Sequence, residues 1–439
     1  MNLRDTIRRH FAASTFLGSA GIYFAGSLIN GLLPLALVPV FTRYLTPEDY
    51  GIVATCMVLM NIFIIFQGLN SYGLITRGHF DGNFPAQRRL VSTSILMTTA
   101  ITGALLILCL TPLRLRLGEW AEFPASWLPG VLFLGFFSVL QNNYQVLLQA
   151  RKEPWHFIGN QTLGSFLNMG LSLWLVVGMG WAWQGRLFGL LLGGAAISVV
   201  CLWGFIRRLG LLRVEFSKQS LHEIFSFGIP LIPHVLGGWV MTMSARLYLN
   251  NMASVADTGL FSLAFNLTSP VNMVIGALSR TYRPWLFEKL GNPNELDEVA
   301  LCRQLLLASA SILFAGLIFG IGVALVLPFI VGAKFLGAAP YVFWLSLTMA
   351  FSGVYFIFGN FVVYSKRTSL MAWRADFLGG IVVLISCPIF IHIFGPVGAA
   401  VSNCLGYVAT TIGCITAARI AHPMPWGRAL KSILWKATG

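Results

Sequence analysis

Long apolar stretches separated by short polar segments run through the whole chain of 439 residues. An α-helix needs about 20 apolar residues to cross the roughly 30 Å of membrane hydrocarbon, and these stretches reach that length. The segment Leu305–Val331 is almost wholly apolar, whereas membrane barrels alternate apolar and polar residues, so the pattern favours helices. The predicted spans are residues 17–41, 50–76, 90–111, 125–148, 155–179, 184–206, 224–250, 257–280, 304–330, 339–363, 370–393 and 396–419. The sequence therefore predicts an all-α integral membrane protein with twelve transmembrane helices.

One local pattern occurs once in each half of the chain. Near the start, a proline-bent apolar helix carrying Arg43 leads into an acidic turn and a second helix at Tyr50 and Gly51. In the second half, Arg246 precedes a short polar turn and an apolar helix at Gly259. A repeat of this kind indicates a duplicated unit with both copies in one orientation, related by a pseudo-two-fold axis along the membrane normal. We predict an amino-terminal six-helix bundle in residues 1–208, a cytoplasmic linker in 209–222 and a carboxy-terminal six-helix bundle in 223–439.

Composition and charge support the membrane assignment and fix the expected topology. The chain has 56% hydrophobic and only 10% charged residues, against roughly 25% charged residues in soluble domains. The net charge of +14 does not indicate a nucleic-acid partner, because most lysines and arginines lie in alternate loops, as the positive-inside rule requires. We expect a multi-pass protein of the inner (plasma) membrane with both termini in the cytoplasm.

Motifs of enzyme chemistry are absent from the sequence. It contains no phosphate-binding loop, zinc-hydrolase motif, paired-acid motif or nucleophile elbow. The seven cysteines fall in or beside spans without metal-ligand spacing, so we interpret them as small apolar residues. No outer loop is long enough to hold a reacting sugar. These observations predict a protein that is not an enzyme, with no catalytic residue, no cofactor and no metal.

Amide side chains within the spans are the first group of candidate site residues. A single amide in a span more often bonds a neighbouring helix, at about 1 kcal/mol, than a ligand. Clusters of amides are harder to satisfy in this way and favour a hydrated cavity, where neutral hydrogen bonds suit sugar hydroxyls. Both interpretations stay open for the candidates Asn61, Gln67, Gln141, Asn142, Asn266 and Asn272.

Charged side chains in or near the spans are the second group. A guanidinium inside a span costs several kcal/mol unless it snorkels to the interface or faces a cavity, and its planar fork matches phosphate oxygens. Asp376 either pairs with a nearby arginine or takes part in ion coupling, and His234 is a packed histidine or a proton site. The candidate anion-binding residues are Arg43, Arg246, Arg280 and Arg374.

The helical hairpin motif resembles a known family. Leu45–Gly51 (LTPEDYG), after the proline-bent first span, resembles the opening of Wzx-type polysaccharide flippases, which serve O-antigen lipopolysaccharide, capsule and exopolysaccharide synthesis. These belong to the MOP superfamily with the MATE exporters and the lipid II flippase. Thr258–Ala264 and Ala277–Phe287 fit the same family, so the resemblance covers essentially the whole chain. One departure is Ala245, where many relatives have an acid before the arginine that matches Arg246.

The resemblance implies a central cavity between two six-helix bundles. Such a protein would move an oligosaccharide on polyprenyl pyrophosphate from the inner to the outer leaflet by alternating access, driven by an ion gradient. The arginines would attract the pyrophosphate and the amides the sugar. The implied partners are the lipid-linked oligosaccharide and membrane lipid, and a polysaccharide polymerase with its chain-length machinery is a candidate protein partner.

Three other functions were compatible with a chain of this type. A MATE-like exporter of cationic drugs would need acids in its cavity, and Asp376 is the one carboxylate that we place well inside a span. A membrane glycosyl polymerase or ligase would need a long outer loop. A membrane scaffold without transport activity is the third alternative.

Overall fold

The structure, a computed structural model, describes residue 26 and residues 28–213, 215–291, 297–365 and 375–438. These ranges are largely helical and contain no β-strand. The helices are α1 (Leu28–Tyr44, with a turn at Leu37), α2 (Pro47–Gly68), α3 (Ser71–Phe80), α4 (Phe84–Leu108), α5 (Leu113–Ala121), α6 (Leu128–Ala150), α7 (Pro154–Leu173), α8 (Trp183–Trp203), α9 (Lys218–Met252), α10 (Val255–Gly291), α11 (Glu298–Ile330), α12 (Ala339–Tyr364), α13 (Phe377–Phe394), α14 (Gly398–Ala421) and α15 (Trp426–Thr438).

The described chain forms two compact units. Unit 1 consists of the residues up to Leu45 together with Thr55–Pro233, and unit 2 consists of Thr46–Ala54 and the residues from His234 onwards. The first turns of α2 therefore belong to unit 2, and α9 passes from unit 1 to unit 2 after Pro233. The predicted linker, residues 209–222, lies within unit 1.

Most helices have the length and composition of membrane spans. Eight helical stretches in the described ranges qualify, and a ninth is added if Lys218–Pro233 and Val235–Met252, the two parts of α9, count as one span. One of the eight, Phe377–Ala421, contains both α13 and α14, which pack against each other and are joined by the short turn Gly395–Val397. The predicted all-α, multi-pass membrane architecture is confirmed, while the number of twelve spans stays a prediction.

The duplicated sequence pattern marks two helices that begin in the same way. At the start of α2, Asp49 Oδ2 accepts hydrogen bonds from the Thr46 backbone N–H at 2.8 Å and from its hydroxyl at 2.7 Å, while the Asp49 N–H donates to Thr46 Oγ1 at 3.1 Å. At the start of α10, Ser254 and Asp257 form the same pair, with distances of 2.6 and 3.1 Å. Reciprocal bonds of this kind satisfy the free N–H groups of a helix start. The acids of the repeated turn therefore have a structural role as helix caps.

The beginnings of α2 and α10 pack directly on each other within unit 2. A Cβ atom at Gly51 would overlap the carbonyl oxygen of Val255, and a Cβ atom at Gly259 would overlap the carbonyl oxygen of Pro47. Both glycines are buried. The contact is therefore reciprocal, and two missing side chains allow the two helix backbones to touch.

A break after α2 provides a notch for another helix of unit 1. Leu69 and Asn70 adopt the left-handed conformation, with φ of 43° and 53°, and divide the predicted second span into α2 and α3. A Cβ at Gly228 of α9 would overlap the Leu69 carbonyl oxygen. Since left-handed backbone is disfavoured for residues other than glycine, we interpret the break as held by its packing against α9.

Each unit has its own apolar core. In unit 1, Leu147, Leu148, Phe205 and Ile224 are among the fully buried side chains of one cluster. In unit 2, a second cluster contains Leu286, Phe358, Phe361 and Trp426. The seven cysteines are buried and have free thiols, in agreement with their interpretation as small apolar residues.

Candidate functional site

Unit 1 contains a polar cavity of about 630 Å³. It is formed by the end of α3, the turn at residues 81–83, the beginning of α4 and the beginning of α9. We name it the polar cavity. Its charged and amide lining consists of Arg77, Asp81, Asn83, Gln87, Arg89, Gln219 and Glu223, and Phe227 adds an aromatic ring.

The segment before α9 is fastened along α4, which fixes one wall of the polar cavity. Arg88 forms a two-point ion pair with Glu215, at 2.9 and 3.3 Å. The Ser217 N–H donates to Thr93 Oγ1 at 3.1 Å, and Ser92 Oγ accepts from the backbone of the same segment at 3.2 Å. The beginning of α9 therefore lies in a defined position beside the beginning of α4.

The polar groups of the cavity are balanced in charge, and one of them has an unused donor. Arg77 and Arg89 are exposed, as are Asp81 and Glu223, and Gln219 donates to Glu223 at 3.2 Å. Gln87 is only 6% exposed, and its Nε2 has no hydrogen-bond partner. A buried amide donor without a partner lowers the stability of the fold by about 1–3 kcal/mol. Such a donor calls for a hydrogen-bond acceptor from outside the chain.

Arg246 is the one candidate arginine whose side chain is buried in the described part of the chain. It lies in the unit 2 part of α9 and is 5% exposed. Its Nε donates to Ser262 Oγ at 2.9 Å, and its Nη1 donates to the Thr242 carbonyl at 2.7 Å. The guanidinium lies 5.4 Å from the ring centroid of Phe261 and 4.8 Å from that of Phe265. No ion pair to a carboxylate is formed among the described residues, so aromatic faces and neutral oxygens surround this charge.

The other predicted charged residues are placed in different ways. Arg43 is exposed in the last turn of α1. Arg280 and His234 lie on helical backbone, and their side chains are outside the described part. Arg374 lies outside the described residues altogether. Of these four residues, Arg43 alone has its side chain in the described part of the structure.

Asp376 is half-buried at the start of α13 in unit 2. Its Oδ1 accepts a hydrogen bond from the hydroxyl of Tyr355 at 3.1 Å. This bond ties α13 to α12. The predicted pairing with Arg374 stays a prediction, and so does a role of Asp376 in ion coupling.

Gln67 is fully buried where three helices of unit 1 meet. Its Nε2 donates to Thr102 Oγ1 of α4 at 3.1 Å and to the Leu132 carbonyl of α6 at 3.0 Å. A Cβ at Gly135 would overlap its Oε1. This is the interhelical arrangement of an amide in a span.

The remaining amides of unit 1 differ in exposure. Asn61 is half-buried and donates to the Met57 carbonyl of its own helix at 2.7 Å. Gln141 donates to the Gly194 carbonyl of α8 at 3.2 Å. Asn142 is exposed. The cluster at residues 141–145 thus faces in several directions.

The two candidate site amides of unit 2 are exposed, and each has a side-chain partner. Asn266 donates to the hydroxyl of Tyr50 at 3.4 Å. Asn272 accepts from the hydroxyl of Ser352 at 3.3 Å. Both side chains remain accessible enough to bind a further group.

Unit 2 also has an apolar groove of about 290 Å³ between α10, α11 and α12. We name it the apolar groove. Ile275, Tyr282, Trp285, Ile312 and Ile357 supply much of its lining. A groove of this composition suits hydrocarbon rather than sugar.

An ionic cluster links two helices of unit 1. Arg151 Nε lies 2.9 Å from Glu153 Oε1, Arg208 pairs with Oε2 of the same carboxylate, and His156 Nδ1 lies 3.8 Å from it. Burial raises the pKa of the Glu153 carboxyl, but the hydrogen bond from Arg151 and the charge of Arg208 outweigh this effect. The pKa of Glu153 is therefore below its ordinary value.

Residues 16–289 match the model of a family described as polysaccharide biosynthesis protein. The matched segment is more than half of the chain. The chain belongs to the polysaccharide biosynthesis protein family. The resemblance stated from the hairpin motif is thereby confirmed. A protein of the Lsg locus of Haemophilus influenzae is 23% identical over 364 residues, which cover 80% of this chain and 85% of that protein.

Solved structures show the fold of this polysaccharide biosynthesis family member. The lipid II flippase MurJ in an inward closed conformation matches with a TM-score of 0.70 and 13% identity, over 95% of this chain and 89% of that one. An inward-facing multidrug resistance MATE family transporter of the MOP superfamily matches with a TM-score of 0.67 and 16% identity, over 93% and 96% of the two chains. The family member therefore has the MATE-like fold predicted for it.

Sequence reasoning about this polysaccharide biosynthesis protein missed one polar site in unit 1. By its position in the sequence, Arg186 lies beside an outer loop at the start of a predicted span. Its Nη1 donates to Asn168 Oδ1 at 2.7 Å and to Ser172 Oγ at 2.6 Å, and its guanidinium lies 5.2 Å from the ring centroid of Phe41. The sequence feature that points to this site is Asn168, because an amide inside a span needs a hydrogen-bond partner.

Proposed function

We propose that the chain is a flippase that moves a polyprenyl-pyrophosphate-linked oligosaccharide repeat unit from the cytoplasmic to the outer leaflet of the inner membrane by alternating access. Its product would feed surface polysaccharide biosynthesis. One observation carries the proposal: a chain of the polysaccharide biosynthesis family matches the fold of a lipid II flippase over 95% of its length. The family name supplies the polysaccharide, and the fold of a lipid flippase supplies the mode of transport.

The substrate class makes three chemical demands, and the chain offers residues for each. Its pyrophosphate needs positive charge, for which Arg246 is the leading candidate, with Arg43, Arg280 and Arg374 as further candidates. A guanidinium that keeps its charge among aromatic rings and neutral oxygens is suited to a phosphate group. The oligosaccharide needs neutral hydrogen-bonding groups. The polyprenyl tail needs an apolar surface, which the apolar groove offers.

Transport of this kind requires no bond to be made or broken, so the proposal includes no catalytic residue and no cofactor. Asp376 and His234 are the candidate groups for coupling to an ion gradient. Membrane lipid surrounds the protein. A polysaccharide polymerase with its chain-length machinery is the proposed recipient of the flipped repeat unit.

A multidrug exporter is the second candidate, because the fold matches a MATE transporter nearly as well. Such an exporter needs a carboxylate to bind a cationic drug. Among the described spans we would assign this role to Asp376, which already accepts a hydrogen bond from Tyr355. Among the described residues Arg246 forms no ion pair, which favours an anionic substrate instead.

Deletion of the gene tests the proposal. We expect lipid-linked repeat units to accumulate on the inner leaflet, and surface polysaccharide to disappear until the wild-type chain is supplied again. Accumulation on the outer leaflet would identify a polymerase or ligase. Normal polysaccharide together with increased sensitivity to cationic drugs would identify an exporter, and either result would overturn the flippase.

A further inference from the structure

We infer that the polar cavity of unit 1 is a carbohydrate site, which binds the sugar part of the lipid-linked oligosaccharide. This inference rests on the proposed function, which it deepens by assigning the glycan to one cavity. None of the predicted site residues lies in this cavity. Its volume of about 630 Å³ falls within the range of about 300–1,000 Å³ for sites that enclose small molecules.

The composition of the lining distinguishes sugar from phosphate. The lining contains two arginines, Arg77 and Arg89, and two carboxylates, Asp81 and Glu223. A phosphate site needs an excess of positive charge, whereas this lining is formally neutral. Sugar hydroxyls both donate and accept, so they are satisfied by guanidinium and amide donors beside carboxylate acceptors. The balance of donors and acceptors therefore favours a neutral, hydroxyl-rich ligand.

Gln87 supplies an independent indication that the polar cavity binds a ligand. It is more than nine-tenths buried, lines the cavity and has an Nε2 without a hydrogen-bond partner. Its backbone position is fixed at the capped start of α4, where its N–H donates to the Asn83 carbonyl at 2.9 Å. Because this nitrogen is enclosed, the Gln87 side chain has to turn towards the cavity before a sugar hydroxyl can accept from it, and that bond would remove the energetic cost of leaving the donor unpaired.

Phe227 completes the chemistry of the cavity. The ring packs on α3, since a Cβ at Gly73 would lie 3.2 Å from it, yet 38% of the residue stays exposed. The aromatic face of Phe227 can pack against the apolar C–H side of a sugar ring. The polar groups beside it can bond the hydroxyls at the edge of the same ring. Polar edges and one apolar face are the two surfaces that a pyranose presents.

The test measures occupancy of the polar cavity directly. Ser226 lines the cavity and is exposed, and the seven native thiols are buried. In a Ser226→Cys variant of the full chain in lipid vesicles, a membrane-impermeant maleimide therefore reports on the cavity. Gln149→Cys, at an exposed position of α6 that does not line the cavity, is the matched control. The probes are the polyprenyl-pyrophosphate-linked glycan extracted from cells lacking the protein, and glycan-free polyprenyl pyrophosphate.

We expect the glycan-bearing lipid to slow modification of Ser226→Cys and to leave Gln149→Cys unchanged, with little effect of the glycan-free lipid. Adding Gln87→Leu should raise the concentration needed for protection about tenfold, the effect of one lost hydrogen bond in a desolvated site. Arg89→Gln should act in the same direction. Arg207→Gln, which replaces an exposed arginine of unit 1 outside the cavity, should not.

Translocation of the glycan-bearing lipid is measured in the same vesicles. Translocation by the wild-type chain without protection of Ser226→Cys overturns the carbohydrate site and leaves the proposed function intact. Equal protection by the glycan-free lipid also overturns it, because the cavity then binds phosphate or lipid. Absence of translocation by the wild-type chain contradicts the proposed function itself, and the inference falls with it.

Discussion

The two units of this molecule handle polar groups in opposite ways. In the part of the chain that the structure describes, all four ion pairs belong to unit 1, which also contains the polar cavity. Unit 2 has an apolar groove and buries its charged Arg246 among aromatic rings and neutral oxygens. The two units therefore have different chemistry.

Under the proposed function, this contrast predicts which unit binds which part of an amphiphilic substrate. Unit 1 would then bind the neutral hydroxyls, because the lining of its polar cavity contains equal numbers of arginines and carboxylates. Arg246 forms no ion pair among the described residues. Burial of such a charge in an apolar unit lowers the stability of the fold. Arg246 is therefore better explained by function than by stability. The stability and activity of unit 2 should therefore depend on close packing and on the charge of Arg246. The stability of unit 1 should depend on its ion pairs.

The largest effect is expected from a change of volume in unit 2. Gly259→Ala places a Cβ atom on the Pro47 carbonyl, and backbone there cannot move aside as a flexible side chain would. We expect a loss of about 3 kcal/mol, at the upper end for overpacking. Thermal unfolding of the purified protein measures it. Gly276→Ala is the control on the same helix, because a Cβ there meets no atom within 4 Å; equal melting of the two variants would contradict the close contact.

The next effect separates charge from stability at Arg246. Arg246→Met should lower transport about a hundredfold, the equivalent of losing a charge-assisted contact of about 3 kcal/mol. Its melting temperature should be unchanged or higher, because an apolar side chain of similar length suits the buried position. Arg246→Lys keeps the charge without the fork and should retain intermediate activity. Wild-type transport by Arg246→Met would remove this residue from the substrate site.

A smaller effect is expected from the ionic cluster of unit 1. Glu153→Gln should lower the free energy of unfolding by about 1 kcal/mol at neutral pH. Because the folded-state pKa of Glu153 is lowered, this contribution is complete above the ordinary carboxyl pKa and is lost as the pH falls through the folded-state value. The difference from wild type should therefore vanish at acid pH. Glu119→Gln, at an exposed position, serves as the control and should show no such pH dependence.

The smallest effect is expected at Gln67. Gln67→Leu removes two hydrogen bonds between helices, but it also removes the buried Oε1 that has no partner. The two effects should nearly cancel, leaving a change below about 1 kcal/mol. Transport by the variant, measured in the vesicle assay, should be close to that of wild type. A selective loss of transport with normal melting would place Gln67 in the substrate site instead.

Much of the fold was predictable because it depends on composition and repetition. The apolar stretches gave the membrane helices, and the repeated turn located the matched starts of α2 and α10. The repeated turn alone does not show why Asp49 and Asp257 recur. Their capping role depends on a hydroxyl three residues earlier, at Thr46 and Ser254. The break at Leu69 and Asn70 interrupts the predicted span of residues 50–76. Gly68 and Asn70 are poor helix formers, and the packing of Gly228 on the Leu69 carbonyl holds the break.

The site was less predictable, because a site depends on contacts between distant segments. Amides were recognised from their cost in a membrane, but only the structure shows that Gln67 bonds two other helices of its own unit. Gln87 and Arg89 are not recognisable as site residues from the sequence. Nothing near them in the chain shows that they lie beside the beginning of α9. Arg208, an ionic partner of Glu153, lies beyond α7 and α8 in the chain, and Arg186 of α8 likewise bonds residues of the preceding helix.

Repeated segments of one chain can diverge in sequence as long as their contacts tolerate the changes. The crossing of α2 and α10 limits such divergence. Each of Gly51 and Gly259 leaves room for a backbone atom of the other copy, at Val255 and at Pro47. No compensating change at the partner glycine can restore that room, so both positions should remain glycine in descendants of this chain, long after the sequence around them has ceased to look repeated.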